Sequence, residues 1–210
     1  MTRRCRLVVE IDDADRAGLR PGSRIIVAKP HGNAAPNLVW LACQPAARTV
    51  VEWEESYGVY AAEIPARNDD APVILDLVYP AQRGAVYPFT GSRFAAPVKE
   101  AAIPSGHYDV RNDGQDARSF GLAQQAFVDD RPIVAPVHRV ALPPGFTADF
   151  AGRAQVCVWL SDTLYGGAAV RDVPAGAAFL TFGPVRRVRC RYDRASASFV
   201  PVGEFFSNDG

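Results

Sequence analysis

The side chains that could do chemistry fall in two charged runs, one acidic and one basic. In Arg48 to Glu63, RTVVEWEESYGVYAAE, strand alternation puts Glu52 and Glu54 on one face and Thr49, Val51, Trp53 and Glu55 on the other. Neighbouring carboxylates can divide the work of acid and base, because their repulsion raises one pKa. The plainer reading, which carries more weight, is an acidic strand face that discourages edge pairing. Trp53, Tyr57 and Tyr60 crowd beside these acids, either as core or as a binding patch of amphipathic rings. The basic run is Arg186, Arg187, Arg189, Arg191 and Arg194. Arg187, Arg189 and Arg191 share one strand face, and Val188, Cys190 and Tyr192 share the other. Guanidiniums in a row call for balancing anions. An adjacent acidic strand such as Glu52–Glu54 would supply them, as would carboxylates of a partner chain gripped in two-pronged fashion. A solvated edge face is the third option. The candidate peptide-binding residues are therefore Trp53, Tyr57, Tyr60, Arg187, Arg189 and Arg191.

Other reactive groups are sparse. His31 lies in a Gly/Pro loop, His107 follows Pro104-Ser105-Gly106, and His138 sits mid-strand. His107 and Asp109 are co-facial at two-residue spacing, which is too little for a metal site. No His-x-His, Cys-x-x-Cys, Gly-x-Ser-x-Gly, Walker or dinucleotide pattern occurs, so no cofactor and no metal is expected. An enzyme of unrecognised type would have to draw His107 or His138 towards Asp109, Glu52 or Glu54. Cys5, Cys43, Cys157 and Cys190 stand apart beside aliphatic residues and read as small buried thiols.

The elements that must position these groups are strands. Short β-rich runs alternate with Gly, Pro and Asn turns, and no amphipathic helical period exceeds two turns. The expectation is an all-β sandwich or barrel of about a dozen short strands. Residues 80–105 read as loop-rich, Ala168 to Asp172 as a strand, and Asn112-Asp113-Gly114 as the turn joining two strands. Val39-Trp40-Leu41 and Val158-Trp159-Leu160 each follow a Pro-Gly turn, which hints at related halves, 1–100 and 101–210, within one β-rich unit. The 23 basic and 23 acidic residues cancel, so nucleic-acid and membrane-surface partners lose weight. With only a three-residue apolar run near its N-terminus and no spanning stretch, the chain is expected to be cytoplasmic.

The stretch Trp53-x-Glu55-x-Tyr57-Gly58-Val59-Tyr60-Ala61, in a β-rich frame without a catalytic motif, resembles small peptide-binding accessory proteins of crocagin-type ribosomal peptide pathways. That resemblance implies a non-enzymatic bacterial protein that presents a precursor peptide to modifying enzymes and self-associates. No functional residue carries over from it. The leading expectation is a peptide- or protein-binding protein working by strand addition at an open edge near the Arg stripe. Pairing of the Arg-rich and acidic strands across a two-fold axis would make it a homodimer. The alternatives are the His–carboxylate enzyme and a carbohydrate- or lipid-binding sandwich using Trp53, Tyr57 and Tyr60.

Overall fold

The computed structural model describes residues 4–32, 34–67, 70–100, 102–183 and 186–205. Its first half contains β1 (Arg4–Glu10), the single short helix α1 (Asp13–Ala17), β2 (Arg24–Ala28), β3 (Val39–Cys43), β4 (Arg48–Glu54), β5 (Gly58–Ala62), β6 (Ile74–Val78), β7 (Ala85–Phe89) and β8 (Val98–Lys99). The second half contributes β9 (His107–Asn112), β10 (Arg118–Val128), β11 (Arg131–Pro136), β12 (Val140–Leu142), β13 (Thr147–Ala151), β14 (Gln155–Ser161), β15 (Ala178–Thr181), β16 (Arg187–Asp193) and β17 (Ser198–Phe205). The fold is all-β, with sandwich-like sheets rather than a closed barrel. The described strands form one nine-stranded sheet and two of four strands, ordered β13-β9-β7-β8 and β15-β14-β2-β3. Each sheet takes strands from both halves of the chain.

Alternation decides the layers. Cys5, Leu7 and Val9 of β1, Val51 and Trp53 of β4, and Val188 and Cys190 of β16 turn inward, while the Arg and Glu residues between them face out. Against this inner face pack Ile25, Val27 and Leu41 from one small sheet and Tyr87, Tyr108, Val110 and Phe150 from the other, in a single shared core. The strand β2 is buried on both faces: its Ile26 and Ala28 meet Val39, Cys157 and Trp159 in a second cluster behind the small sheet.

Register sets the layout of the large sheet. Ala126 of β10 pairs with Trp53 of β4 and Ile133 of β11, and Ala123 pairs with Gly58 of β5 and Pro136 of β11. A strand has two rims, so β4 and β5 share one rim of β10 as a single interrupted strand, opposite β11. Since β1 pairs with β4 and β6 with β5, β1 and β6 lie end to end along the next row. Beyond β1 come β16, in parallel, and then the edge strand β17.

Two expectations need correcting. Residues 80–105 contain β7, buried at every position despite Pro88, and the short β8. Ala168 to Asp172 makes only an isolated bridge from Ala169 to Leu38. The turn at Asn112 does join two strands, β9 and β10, which belong to different sheets. There the Asn112 side chain donates to the carbonyls of Asp116 and Leu142, both at 2.9 Å.

Candidate functional site

The aromatic half of the sequence-derived site is core. Trp53, Tyr57 and Tyr60 are 1%, 4% and 0% exposed, so they offer no face to a peptide, a sugar or a lipid. Trp53 meets Trp40 and Phe182 edge-on at 5.5 and 4.8 Å. Tyr60 donates its hydroxyl to the His138 carbonyl at 2.9 Å. The amphipathic patch therefore dissolves into packing, because inward alternation on β4 and β5 claims these rings.

The arginines do face outward, but β16 is not an edge: both of its rims are taken, by β1 and β17. The same holds for β4, between β1 and β10. Neither strand has a rim free to pair across a two-fold axis in the way the sequence suggested. The intervening strand β1 also redistributes the charges. Arg189 reaches Glu10 at 2.6 Å, with Arg191 at 3.9 Å from the same oxygen. Glu52 is held by Arg4 at 3.1 Å and Arg6 at 3.6 Å. Arg187 stands opposite Arg6 in the parallel register, like charge beside like charge.

Sequence reasoning missed the most unusual group. Lys29, just past the end of β2, is 3% exposed. Its Nζ donates to Gln124 Oε1 at 2.7 Å and to Tyr57 Oη at 3.3 Å. It also lies 4.9, 5.0 and 5.4 Å from the ring centres of Trp40, Trp53 and Tyr57, a cage that favours the ammonium form. Gln124 is locked in turn, donating to the Glu54 carbonyl at 2.7 Å and accepting at its own carbonyl from Trp40 Nε1 at 3.2 Å. Burial pushes the Lys29 amine down to about 7, against the pull of the nearby Glu55 charge. One signal for it was present: Lys29 and Lys99 are the only lysines among 23 basic residues, and Lys29 closes the apolar run Ile25 to Ala28.

Beside this cage His31 and His138 stack at 4.0 Å, with Phe150 against both. Burial, reinforced by His31, drives the His138 imidazole down to about 3, and its Nδ1 is buried without a hydrogen-bond partner. The space enclosed by Lys29, His31, Tyr57, His138 and Gly152 is about 10 Å³, room for no more than one water. A β-carbon on Gly152 would fall 2.2 Å from the Tyr57 ring. The perturbed groups here thus mark tight packing and leave no place for a substrate.

His107 and Asp109 are indeed co-facial on β9, and β13 adds Asp149 directly across from Asp109. Asp149 receives His107 Nδ1 at 2.8 Å, while partial burial together with Asp149 lifts the Asp109 carboxyl above the usual carboxylate range. The cluster lies on an outer sheet face, with Asp149 exposed. Among the described residues no group of three or more His, Cys, Asp or Glu side chains is arranged to hold a metal ion. All four cysteines are buried and in no disulfide, and burial pushes Cys43, Cys157 and Cys190 up to about 12, as inert packing thiols. No described helix is long and apolar enough to cross a membrane.

The rims of the large sheet differ in how they are guarded. Pro132 and Pro136 remove two amide donors from β11, and Pro201 with the left-handed Gly203 interrupts β17. In β6 there is no Pro, Gly or Lys. Ile74, Leu75 and Leu77 are 37–41% exposed, only Val78 packs against the core, and no described strand pairs with its outer rim. Its one charge, Asp76, is occupied: the carboxylate accepts from the Phe94 amide at 2.7 Å and the Leu77 amide at 2.9 Å. No protein-family model, curated protein or solved structure matches the chain.

Proposed function

We propose that the protein is a non-catalytic binding protein that takes an extended peptide segment onto the outer rim of β6, in the role of an accessory factor presenting a precursor peptide. The observation that carries this reading is the edge strand Ile74–Val78, in which Ile74, Leu75 and Leu77 are exposed and only Val78 packs against the core. Natural sheets rarely leave such an edge without proline, lysine or a cover, because it templates pairing with another chain. Strand addition uses this property. Main-chain hydrogen bonds give affinity, and alternate side chains give selectivity. On β6 Val78 packs against the core, while Ile74, Leu75 and Leu77 are exposed and the register shifts beside Leu75, so the preferred segment is extended and rich in apolar side chains.

The test is selection of random heptapeptides displayed on phage against the immobilised protein, followed by calorimetry with the enriched peptides. Enrichment of sequences rich in apolar residues, with binding lost in Leu75→Lys and Leu77→Lys variants, supports the reading. Failure to enrich, or peptides that bind both variants as tightly as the parent, removes it. Light scattering on the same samples settles whether a second copy takes the rim. A dimer that persists in the two lysine variants would place self-association elsewhere.

A further inference from the structure

The outer face of β4, β1 and β16 carries a second, differently made surface. Its charged outward positions are Arg48, Glu52 and Glu54 on β4, Arg4, Arg6 and Glu10 on β1, and Arg187, Arg189, Arg191 and Asp193 on β16. Six arginines thus meet four acids, an excess of two positive charges on one sheet face. Three of the four acids are already spoken for, and the fourth, Glu54, is registered against Arg4. Glu52 and Glu10 are each shared by two arginines. Asp193 accepts from the amides of Ala195 and Ser196. The excess falls at Arg187, exposed and registered against Arg6, whose Nε faces Glu52 at 3.6 Å, beyond hydrogen-bond distance. Like charges directly opposite one another destabilise a sheet unless an anion lies between them.

We infer that this face docks an acidic extended peptide, whose carboxylates bridge Arg187 to Arg6 and reach Arg191. Spacing supports the occupant. Arg187 and Arg191 sit four positions apart on β16, a span of about 13 Å, with Arg189 between them held by Glu10, and an extended chain with acids at alternate positions also places two of them at that span. Each carboxylate meets a planar guanidinium fork that it fills with two hydrogen bonds. A nucleic acid fits less well, because Glu10 and Glu52 stand among the arginines where an unbroken row of phosphates would have to pass. This surface is independent of β6: it works through side chains on a sheet face, whereas β6 offers main chain on a rim.

Fluorescence anisotropy of a labelled, acetylated heptapeptide of alternating glutamate and serine tests it, with a lysine–serine heptapeptide and a twelve-nucleotide single-stranded oligothymidine as comparison probes. The expected result is binding of the acidic peptide alone, weakened several-fold by raising salt from 50 to 200 mM. An Arg187→Glu, Arg191→Glu double variant should weaken it at least tenfold. Both positions are exposed, and a circular dichroism spectrum matching the parent confirms that the variant folds. The milder Arg187→Gln should give an intermediate loss. Leu75→Lys should leave acidic-peptide binding unchanged, so failure here and failure at β6 read separately. No binding of the acidic peptide at millimolar concentration, equal binding by the double variant, or tighter binding of the oligothymidine would overturn the inference.

Discussion

Lys29 shows how far one residue's surroundings can depart from its letter. A lysine is normally a surface residue; here three rings and Gln124 hold its amine in the core. Because burial lowers the folded-state pKa to about 7 from 10.5, an unfolded chain binds one proton more than the folded chain between those values. Stability therefore rises with pH across that window, by up to about 1.4 kcal/mol per unit from this group. Urea denaturation at pH 7 and pH 8.5, below the range in which the unfolded thiols of Cys43, Cys157 and Cys190 are largely ionised, should show the rise in the parent, and Lys29→Met should flatten it. The rarity of lysine was legible in the sequence; the cage was not. The run Arg24 to Lys29 reads as a strand either way, and the cage is assembled from β3, β4 and the turn before β5, which only the fold brings together. For the same reason Trp53, Tyr57 and Tyr60 were open between core and surface: aromatic residues beside acids look alike in both settings. The Arg stripe was legible because strict alternation with Val188 and Cys190 leaves one outward face.

Among the elements, β10 does most to organise the large sheet, and it is lined on both sides by interrupted partners. Opposite β4 and β5, the strands β11 and β12 follow its other rim, separated by residues 137–139. The crossing there is close. A β-carbon on Gly121 would fall 1.8 Å from the His138 carbonyl oxygen, which also accepts from Tyr60. Gly121→Ala would have to push backbone aside. The expected cost is about 2–3 kcal/mol, seen as a fall in Tm of roughly 5–10 °C in a thermal melt. Strand existence was readable for most of the chain, since turns rich in Gly and Pro bracket β-branched runs. β7 escaped notice because Pro88 and the prolines around it read as loop, although proline is tolerated where its missing amide is not required. Partner choice was not readable. Nothing local to β1 says that it lies parallel to a strand almost at the other end of the chain.

For the whole molecule, that parallel pairing is the organising fact. Arg6 is registered with Arg187, so β1 cannot complete its row until nearly the full chain is present. Every sheet mixes the two halves, and the shared core draws on all three sheets. Neither residues 1–100 nor 101–210 should fold when expressed alone, and a chain ending at residue 183 should lose the outer cover of β1. The expected observation is the absence of a cooperative urea transition in each fragment, with aggregation of the chain that ends at 183. A cooperative transition in either half would show that the Trp40 and Trp159 strands mark units able to stand alone. Contacts this distant in sequence also place the protein among slow folders, in the millisecond-to-second range.

The scarcity of lysine, together with the sealing of Lys29, leaves one exposed side-chain amine among the described residues, that of Lys99 on β8. An amine-reactive ester should therefore tag the native chain at a single lysine side chain, besides its α-amine. Any label found on Lys29 would report that the cage had opened, which makes this one nitrogen a chemical clock for exposure of the core.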